Sequence, residues 1–171
     1  MDQLGDQERF TQWVREHEKA VRGFLLAMVR RPEVADDLKQ EVFCRAWQAR
    51  GSYQEQGNGL AYLLKIADRL VCDRHRRPGP QKERNLDEEG WKRHEPHSRG
   101  WEPPEVAEMT EQARQLAVAM DRLSSVQQRI LLLRYYGQLS FAEIADVTGC
   151  PLSTTLSHCR RGLETLRKHL A

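Results

Sequence analysis

The sequence predicts an all-α protein with two small helical domains, residues 1–78 and 105–171, joined by a flexible acidic linker over residues 79–104. Apolar residues recur at the spacing of amphipathic helices on both sides of the chain's centre, whereas the centre is charged and rich in Gly and Pro. The chain has 171 residues, 39% of them apolar, enough to bury one or two small cores. A tight turn before the last helix predicts a helix-turn-helix in the second domain.

Composition excludes several classes of protein. No apolar run approaches the roughly 18 residues of a membrane span, and residues 1–5 lack the basic start and apolar core of a signal peptide. The four cysteines are Cys44, Cys72, Cys150 and Cys159, and no two of them form a Cys-x-x-Cys pair. This spacing favours reduced thiols over a disulfide framework or a zinc site. We therefore expect a cytoplasmic protein with no membrane insertion, no metal and no cofactor.

The first domain is predicted to begin with two amphipathic helices. They end where Arg30-Arg31-Pro32 and Gly51 interrupt the apolar pattern. The residues predicted to point inward are Phe10, Trp13, Val14, Val21, Phe24, Leu25 and Met28 in the first helix and Val34, Ala35, Leu38, Val42 and Ala46 in the second. Asp37, Gln40 and Glu41 of the second helix then project away from this core.

A third helix, from about Leu60 to Arg77, combines an apolar stripe with a basic face. Its predicted core is Leu63, Ile66, Ala67 and Leu70, and its other face carries Tyr62, Lys65, Arg69 and Arg76. Such a face suits single-stranded nucleic acid, because aromatic rings stack on bases and cations follow phosphates. On composition alone, a solvated face is the plainer explanation.

Charge is segregated along the chain, although the net charge is only +2. Residues 65–84 are mainly basic, whereas residues 86–111 contain eight acidic and three basic side chains. Gly and Pro interrupt this acidic segment, so it cannot bury enough apolar area to offset its ordering entropy. It is predicted to be a linker, in which His94 and His97 form a surface pair rather than a metal site.

The second domain is predicted to open with a helix from near Glu105. Its inward residues would be Ala107, Met109, Ala113, Leu116, Ala117 and Met120. Ser124 and Gln127 then have the spacing of a capping box at the start of the next helix. That helix carries the apolar run 130–133, and Gly137 is predicted to close it.

A second capping box, Ser140 with Glu143, begins the helix-turn-helix. Gly149 suits the left-handed position that ends the first helix, and Pro151 prevents its continuation. The last helix, from Ser153 or Thr154 to Leu170, is predicted to turn Thr155, Cys159, Leu163, Leu166 and Leu170 inward. It would present Thr154, Ser157, His158, Arg160 and Arg161 to DNA, because these side chains contact phosphates and base edges in a groove.

Several fragments of the chain resemble one family when taken in order. They are Asp37 to Phe43, Ile66-Ala67 followed by Asp73, Arg74, Arg76 and Arg77, the set Leu123, Gln127 and Arg129, and Glu143-Ile144-Ala145. Together they resemble bacterial RNA polymerase sigma factors of the extracytoplasmic-function (ECF) group. The resemblance implies a non-catalytic protein that binds core RNA polymerase and directs promoter-specific initiation. Its first domain would capture the melted minus-ten element, and its second would read the minus-thirty-five element as duplex.

The resemblance also implies roles for particular residues. Asp37, Gln40 and Glu41 fall where the family contacts the coiled coil of the largest catalytic subunit, and Arg69, Arg76 and Arg77 fall where it holds promoter DNA. The acidic linker resembles the connector that threads the RNA exit path, although a merely solubilising tether remains an alternative. An anti-sigma factor is a further candidate partner.

Two departures from the family pattern bear on DNA reading. Asp68-Arg69 replaces the usual Arg-Asn, so a changed minus-ten preference is expected. In the last helix, Ser153 to His158 replaces Gly-Thr-Val-Lys-Ser-Arg, which places Leu156 where a phosphate-binding Lys often lies. We therefore expect low affinity of this domain alone for DNA. Arg161 occupies the family's Arg position.

Three other classes of function account for less of the chain. A stand-alone helix-turn-helix regulator would explain the second domain but leaves the helix of Asp37 to Phe43 without a role. An inactive sigma-like decoy that binds polymerase or an anti-sigma factor is a second alternative. An enzyme is disfavoured, because Asp36, Asp37 and Glu41 lack the Glu-x-x-His spacing of carboxylate helical bundles.

Overall fold

The computed structural model describes residues 3–51, 58–75 and 110–170, and all regular structure in these ranges is helical. The chain divides into two compact units, Met1–Arg74 and His75–Ala171. The predicted all-α class is confirmed. The predicted linker over 79–104, the first part of the helix from Glu105, and the residues Arg76, Arg77, His94 and His97 lie outside the described residues, so the proposed domain bounds stay a prediction.

The first unit contains α1 (Gln3–Val29), α2 (Pro32–Gln48) and α3 (Gly59–His75). The break between α1 and α2 has a local cause. Arg30 adopts a left-handed backbone with φ 55°, and its N–H donates to the carbonyl oxygen of Leu26 at 2.8 Å. Arg31 is extended, as expected for a residue before proline, and Pro32 occupies the first turn of α2, where a missing N–H costs nothing.

Ion pairs join α1 to α2 along one edge of their contact. Arg22 Nε donates to Asp36 Oδ1 at 2.8 Å, and Lys39 Nζ lies 2.7 Å from Glu18 Oε1 and 3.8 Å from Asp36 Oδ1. The hydrogen bond from Arg22 lowers the pKa of Asp36 below its ordinary value, and the charges of Arg22 and Lys39 act in the same direction. Behind this edge, Val21, Phe24 and Leu25 of α1 are fully buried.

Helix α3 is buried over a wider arc than the sequence predicts. Leu63, Ala67 and Leu70 are buried as expected, and Leu64 and Val71 are fully buried as well. Ile66, a predicted core residue, is only half-buried. At about 100° per residue, the buried positions cover roughly half of the helix circumference, and Ile66 falls outside them.

The start of α3 lies against an aromatic group on α1. Asn58 caps the helix by accepting a hydrogen bond from the Ala61 N–H at 3.0 Å. A methyl carbon placed on Gly59 would lie 2.5 Å from Trp13 Nε1. The Trp13 ring is itself packed at 5.6 Å, centroid to centroid, against the rings of both Phe10 and His17. Gly59 is therefore required by the close approach of α3 to Trp13.

The second unit contains α4 (Glu111–Met120), α5 (Ser125–Leu131), α6 (Phe141–Thr148) and α7 (Leu152–Leu170). Thr110 caps α4, and the predicted capping box of Ser124 with Gln127 is present at the start of α5. In α4, Leu116 was expected to face inward, but 46% of it is exposed. The small residue Ala119 is buried in its place.

A π-helical turn, Leu132–Tyr136, extends α5. The Gly137 N–H donates to the Leu132 carbonyl oxygen at 2.9 Å, five residues back rather than four. Gly137 ends the helix as predicted, with φ −80°, and Gln138, the residue after it, is left-handed with φ 56°. The wider turn delays the reversal of the chain by one residue. It leaves both Leu133 and Leu139 fully buried.

A substitution at Gly59 tests the contact between α3 and Trp13. Gly59→Ala should lower the free energy of unfolding of the full chain by about 1–3 kcal/mol, because the added methyl overlaps a ring that its neighbours hold in place. Gly51→Ala is the matched control, since a methyl there meets nothing within 4 Å. Urea unfolding monitored by tryptophan fluorescence measures both, and equal stabilities would contradict the close approach.

The pair between Arg22 and Asp36 predicts a pH dependence of stability. Because the pKa of Asp36 is lowered on folding, its carboxylate stabilises the folded state above the ordinary Asp value of about 3.9, and this contribution is lost as the pH falls through the lower folded value. Asp36→Asn should therefore reduce Tm at neutral pH, and its difference from the wild type should shrink in acid. Asp37→Asn removes an adjacent carboxylate that does not bind Arg22. An Asp36→Asn difference that persists unchanged at about pH 2 would exclude this role.

Candidate polymerase-binding and DNA-binding surfaces

The predicted polymerase-binding residues lie together on the outer face of α2. Asp37, Gln40 and Glu41 are all exposed, and their spacing of three and four residues puts them on one side of the helix. Glu41 Oε1 accepts a hydrogen bond from Arg45 Nε at 2.7 Å. Both side chains of this pair are 47% exposed, so solvent screens the pair and leaves Glu41 accessible. This acidic face of α2 suits a basic partner surface.

The strip predicted on α3 is present in part. Arg69 is exposed, and Tyr62 and Lys65 are half-buried on the same side of the helix. Asp68 was expected to point away from this strip, and only 1% of it is exposed. The exposed Asp73 continues the strip toward its C-terminal end and reduces the positive charge there. The α3 strip of Tyr62, Lys65 and Arg69 thus offers one aromatic ring and two cations to a ligand.

An open cleft of about 430 Å³ lies beside Tyr62, and the sequence analysis did not predict it. Its lining includes Phe10 and Trp13 of α1, Ala46 of α2 and Arg50 just after α2. The Arg50 guanidinium lies 3.7 Å from the centroid of the Trp47 ring, and its Nη1 donates to the Trp47 carbonyl oxygen at 2.8 Å. The cleft is assembled from three separated parts of the chain, which no local pattern could bring together.

The helix-turn-helix of α6 and α7 has the predicted local geometry. The Ser140 N–H donates to Glu143 Oε2 at 2.7 Å, and the Glu143 N–H donates to Ser140 Oγ at 3.2 Å, which completes the capping box. Gly149 is left-handed with φ 71°, and its N–H donates to the Ala145 carbonyl oxygen at 2.9 Å. The turn is tightened further by Thr148, whose hydroxyl oxygen accepts from the Cys150 N–H at 3.3 Å.

Helix α7 packs against α4, α5 and α6, and its buried face differs from the predicted one. The buried residues are Thr155, His158, Cys159 and Gly162. Gly162 allows a close approach to α5, because a methyl there would lie 3.0 Å from Leu131 Cδ1 and the leucine side chain would have to shift by a few tenths of an ångström. Burial raises the pKa of the Cys159 thiol, against a smaller opposing effect of the Arg134 charge.

His158 was predicted to contact DNA, and this prediction is wrong, because only 1% of the residue is exposed. It lies three residues after Thr155 and four before Gly162, within the face that packs on the neighbouring helices. The other predicted DNA-contact residues remain accessible. Ser157, Arg160 and Arg161 are exposed, and Thr154 is half-buried.

Arg160 and Arg161, the two arginines of α7 that were predicted to contact DNA, differ in their surroundings. Arg161 folds back along its own helix, where Nε donates to the Ser157 carbonyl oxygen at 3.4 Å and Nη2 lies 3.5 Å from His158 Nδ1. Within the part of the chain that the structure describes, Arg160 makes no hydrogen bond or ion pair. Arg160 is therefore more available than Arg161 to reach a ligand without first giving up contacts.

The leucines of α7 also depart from the prediction. Leu163 and Leu170 were expected inside but are 36% and 46% exposed, and Leu166 is half-buried. Leu152 and Leu156, near the start of the helix, are 48% and 43% exposed. The leucines of α7 thus lie at the border of the buried face formed by Thr155, His158, Cys159 and Gly162.

Within residues 3–51, 58–75 and 110–170, no helix is both long and apolar enough to span a membrane. In the same ranges, no group of three or more His, Cys, Asp or Glu side chains is placed to hold a metal ion.

Known proteins match the chain in two segments. Residues 13–79 match the family described as Sigma-70 region 2, and residues 113–166 match the family described as Sigma-70, region 4. The probable RNA polymerase sigma-C factor of Mycobacterium bovis is 34% identical over 77% of this chain and 68% of its own length. The ECF RNA polymerase sigma factor SigK of Mycolicibacterium vanbaalenii is 28% identical over 96% of this chain and 83% of its own length.

Two solved structures share the fold. The sigma factor RpoE from Bartonella quintana, in complex with the anti-sigma factor NepR, has a TM-score of 0.71 at 20% identity and covers 95% of this chain and 97% of its own. CnrH, in complex with the cytosolic domain of CnrY, has a TM-score of 0.65 at 19% identity and covers 98% of this chain and 90% of its own. At these identities, the likeness concerns the fold alone.

Proposed function

This chain belongs to the extracytoplasmic-function family of RNA polymerase sigma factors, which bind core polymerase and direct promoter-specific initiation of transcription, and we propose how its surfaces divide that work. The first unit binds core polymerase through the acidic face of α2 and captures the melted minus-ten strand on α3. The second unit reads the minus-thirty-five element as duplex through α7. The linker over 79–104 connects the two domains that carry these activities. The protein acts by binding polymerase and DNA rather than by covalent chemistry.

The observation that carries the polymerase contact is the shared exposure of Asp37, Gln40 and Glu41 on one face of α2. The neighbouring Asp36 accepts a hydrogen bond from Arg22 of α1, so its carboxylate stabilises the contact between α1 and α2. An acidic face that is not used in packing can orient the chain on a basic helix of the polymerase. Such complementarity raises the rate and specificity of association more than the final affinity.

Capture of the melted strand is supported by the chemistry of the α3 strip. Tyr62 offers a face on which a base can stack, and Lys65 and Arg69 follow at three and seven residues, within reach of a phosphate backbone. Asp68 is buried and does not oppose a strand that lies on this strip. The cleft beside Tyr62 provides room for an unstacked base next to the strip.

Duplex reading is supported by the exposed polar face of α7. This face follows a tight turn with a left-handed Gly149, and it carries Ser157, Arg160 and Arg161. Serine contacts phosphates or base edges, and arginine forks to guanine in the major groove. An anti-sigma factor is a further proposed partner, because the fold relative RpoE was solved with one.

A charge reversal on α2 tests the polymerase contact. Glu41→Lys should lower the association rate with core polymerase severalfold at low salt, because it places a cation in an acidic docking face. Loss of the pair with Arg45 should change stability by no more than about 0.5 kcal/mol. Glu8→Lys, an equal charge change at an exposed site on α1, is the control. Equal association rates for the two variants would exclude the α2 contact.

Two substitutions at Arg69 test strand capture. Arg69→Asn should change which minus-ten sequences are melted, because a guanidinium only donates hydrogen bonds whereas an amide also accepts them. Arg69→Glu should abolish opening by repelling the phosphates. Arg74→Glu makes the same charge change about 140° around α3 and should open the wild-type set of promoters.

Permanganate footprinting of holoenzyme on a pool of random promoters measures melting in each variant. Core polymerase binding, measured in parallel, should be the same for all of them. If the Arg69 variants open the same promoters as the wild type and as efficiently, the α3 strip does not hold the strand.

A further inference from the structure

Four leucines of α7 face solvent in a single stripe. Leu152, Leu156, Leu163 and Leu170 are 48%, 43%, 36% and 46% exposed, and at about 100° per residue they fall within roughly 40° of one another. The buried Cys159 borders the stripe on one side. Arg160 and Ser157 border it on the other, on the polar face that we assign to DNA. The N-terminal pair of the stripe, Leu152 and Leu156, therefore lies beside the polar face that we assign to DNA.

The first two leucines lie where a recognition helix reads bases. Leu152 and Leu156 occupy the first two turns of α7, and in helix-turn-helix proteins these turns enter the major groove. Their spacing of four residues places their Cβ atoms about 5–6 Å apart, so that together they form one apolar patch. Among the groups that base edges present in that groove, the C5 methyl of thymine is the apolar one.

Arg160, which makes no hydrogen bond or ion pair within the residues that the structure describes, lies close to this patch. Arg160 follows Leu156 by four residues, about 6 Å along the axis and about 40° around it. Because successive bases on one strand are about 3.4 Å apart, the two side chains reach base pairs one or two steps from each other. An arginine fork specifies guanine, and an apolar side chain beside it can specify thymine.

We propose that Leu156, supported by Leu152, contacts the C5 methyl of a thymine in the minus-thirty-five element and so selects thymine one or two base pairs from the base read by Arg160. This inference rests on the proposed reading of duplex DNA by α7. It explains why a leucine can stand at an exposed position of a DNA-reading face, since the contact removes its apolar surface from water.

The experiment removes the methyl group alone. Holoenzyme formed with the full chain selects upstream elements from a random pool, and the wild type should enrich a thymine that Leu156→Ala does not enrich. That thymine is then replaced by deoxyuracil, and binding is measured at fixed salt. Wild type and Leu156→Met should each lose about fourfold in affinity, which corresponds to one buried carbon. Leu156→Ala should bind both DNAs equally.

Leu163→Ala is the matched control. Leu163 is an exposed leucine of the same stripe, but it lies about 10 Å further along the helix axis and cannot reach the same methyl. This variant should therefore keep the wild-type ratio of affinities for thymine and deoxyuracil.

Arg160→Ala separates failure of this inference from failure of the proposed function. If it weakens binding to the selected element while deoxyuracil has no effect on the wild type, α7 reads duplex and the leucine contact is wrong. If neither change affects binding, α7 does not lie on the duplex, and both proposals are wrong. Retention of the thymine preference by Leu156→Ala also overturns the inference.

Discussion

The rotation of α7 about its own axis is the constraint on which the second unit depends. The contact of Gly162 with Leu131 of α5 contributes to that rotation, because a methyl there would lie only 3.0 Å from Leu131 Cδ1. Thr155, His158 and Cys159 lie on the same buried face of α7 as Gly162. Once these residues face the core, the helical period determines which of the remaining side chains of α7 face solvent. The side chains that α7 can offer to a duplex are thus decided by packing on its opposite side.

Local interactions in the second unit could be predicted from the sequence, and the orientation of its last helix could not. Each capping box depends on two residues three positions apart, and the turn at Gly149 depends on one backbone conformation, so the pattern contains all the relevant information. The buried face of α7 depends on a partner helix. Hydrophobicity alone predicted Leu163 inside and His158 outside, whereas in the folded domain Leu163 is 36% exposed and His158 only 1%.

In the first unit, too, features that depend on one helix could be predicted from the sequence, and features that depend on neighbouring helices could not. The polar face of α2 was predictable because each of its positions follows from the period of one helix. Adjacent carboxylates on this helix nevertheless differ in their surroundings. Asp36 is turned toward Arg22 and Lys39, and about 100° of rotation leaves Asp37 in solvent. On α3, burial of Leu64 and Val71 in addition to the predicted stripe indicates packing from several directions, which a single-helix pattern cannot reveal.

The π-helical turn at Leu132–Tyr136 bears on how this domain can change in length. A π-turn accommodates one more residue than an α-turn between the same two ends. The segment between α5 and the loop before α6 therefore contains one residue more than an α-helix would need. Arg134 Nη1 donates to the Leu139 carbonyl oxygen at 2.9 Å and so bridges the π-turn and the loop after it. Leu133 in the turn and Leu139 in the loop are both fully buried. A chain one residue shorter could take up the difference by returning the turn to α-geometry. Deletion of one residue can therefore be absorbed here without moving α7.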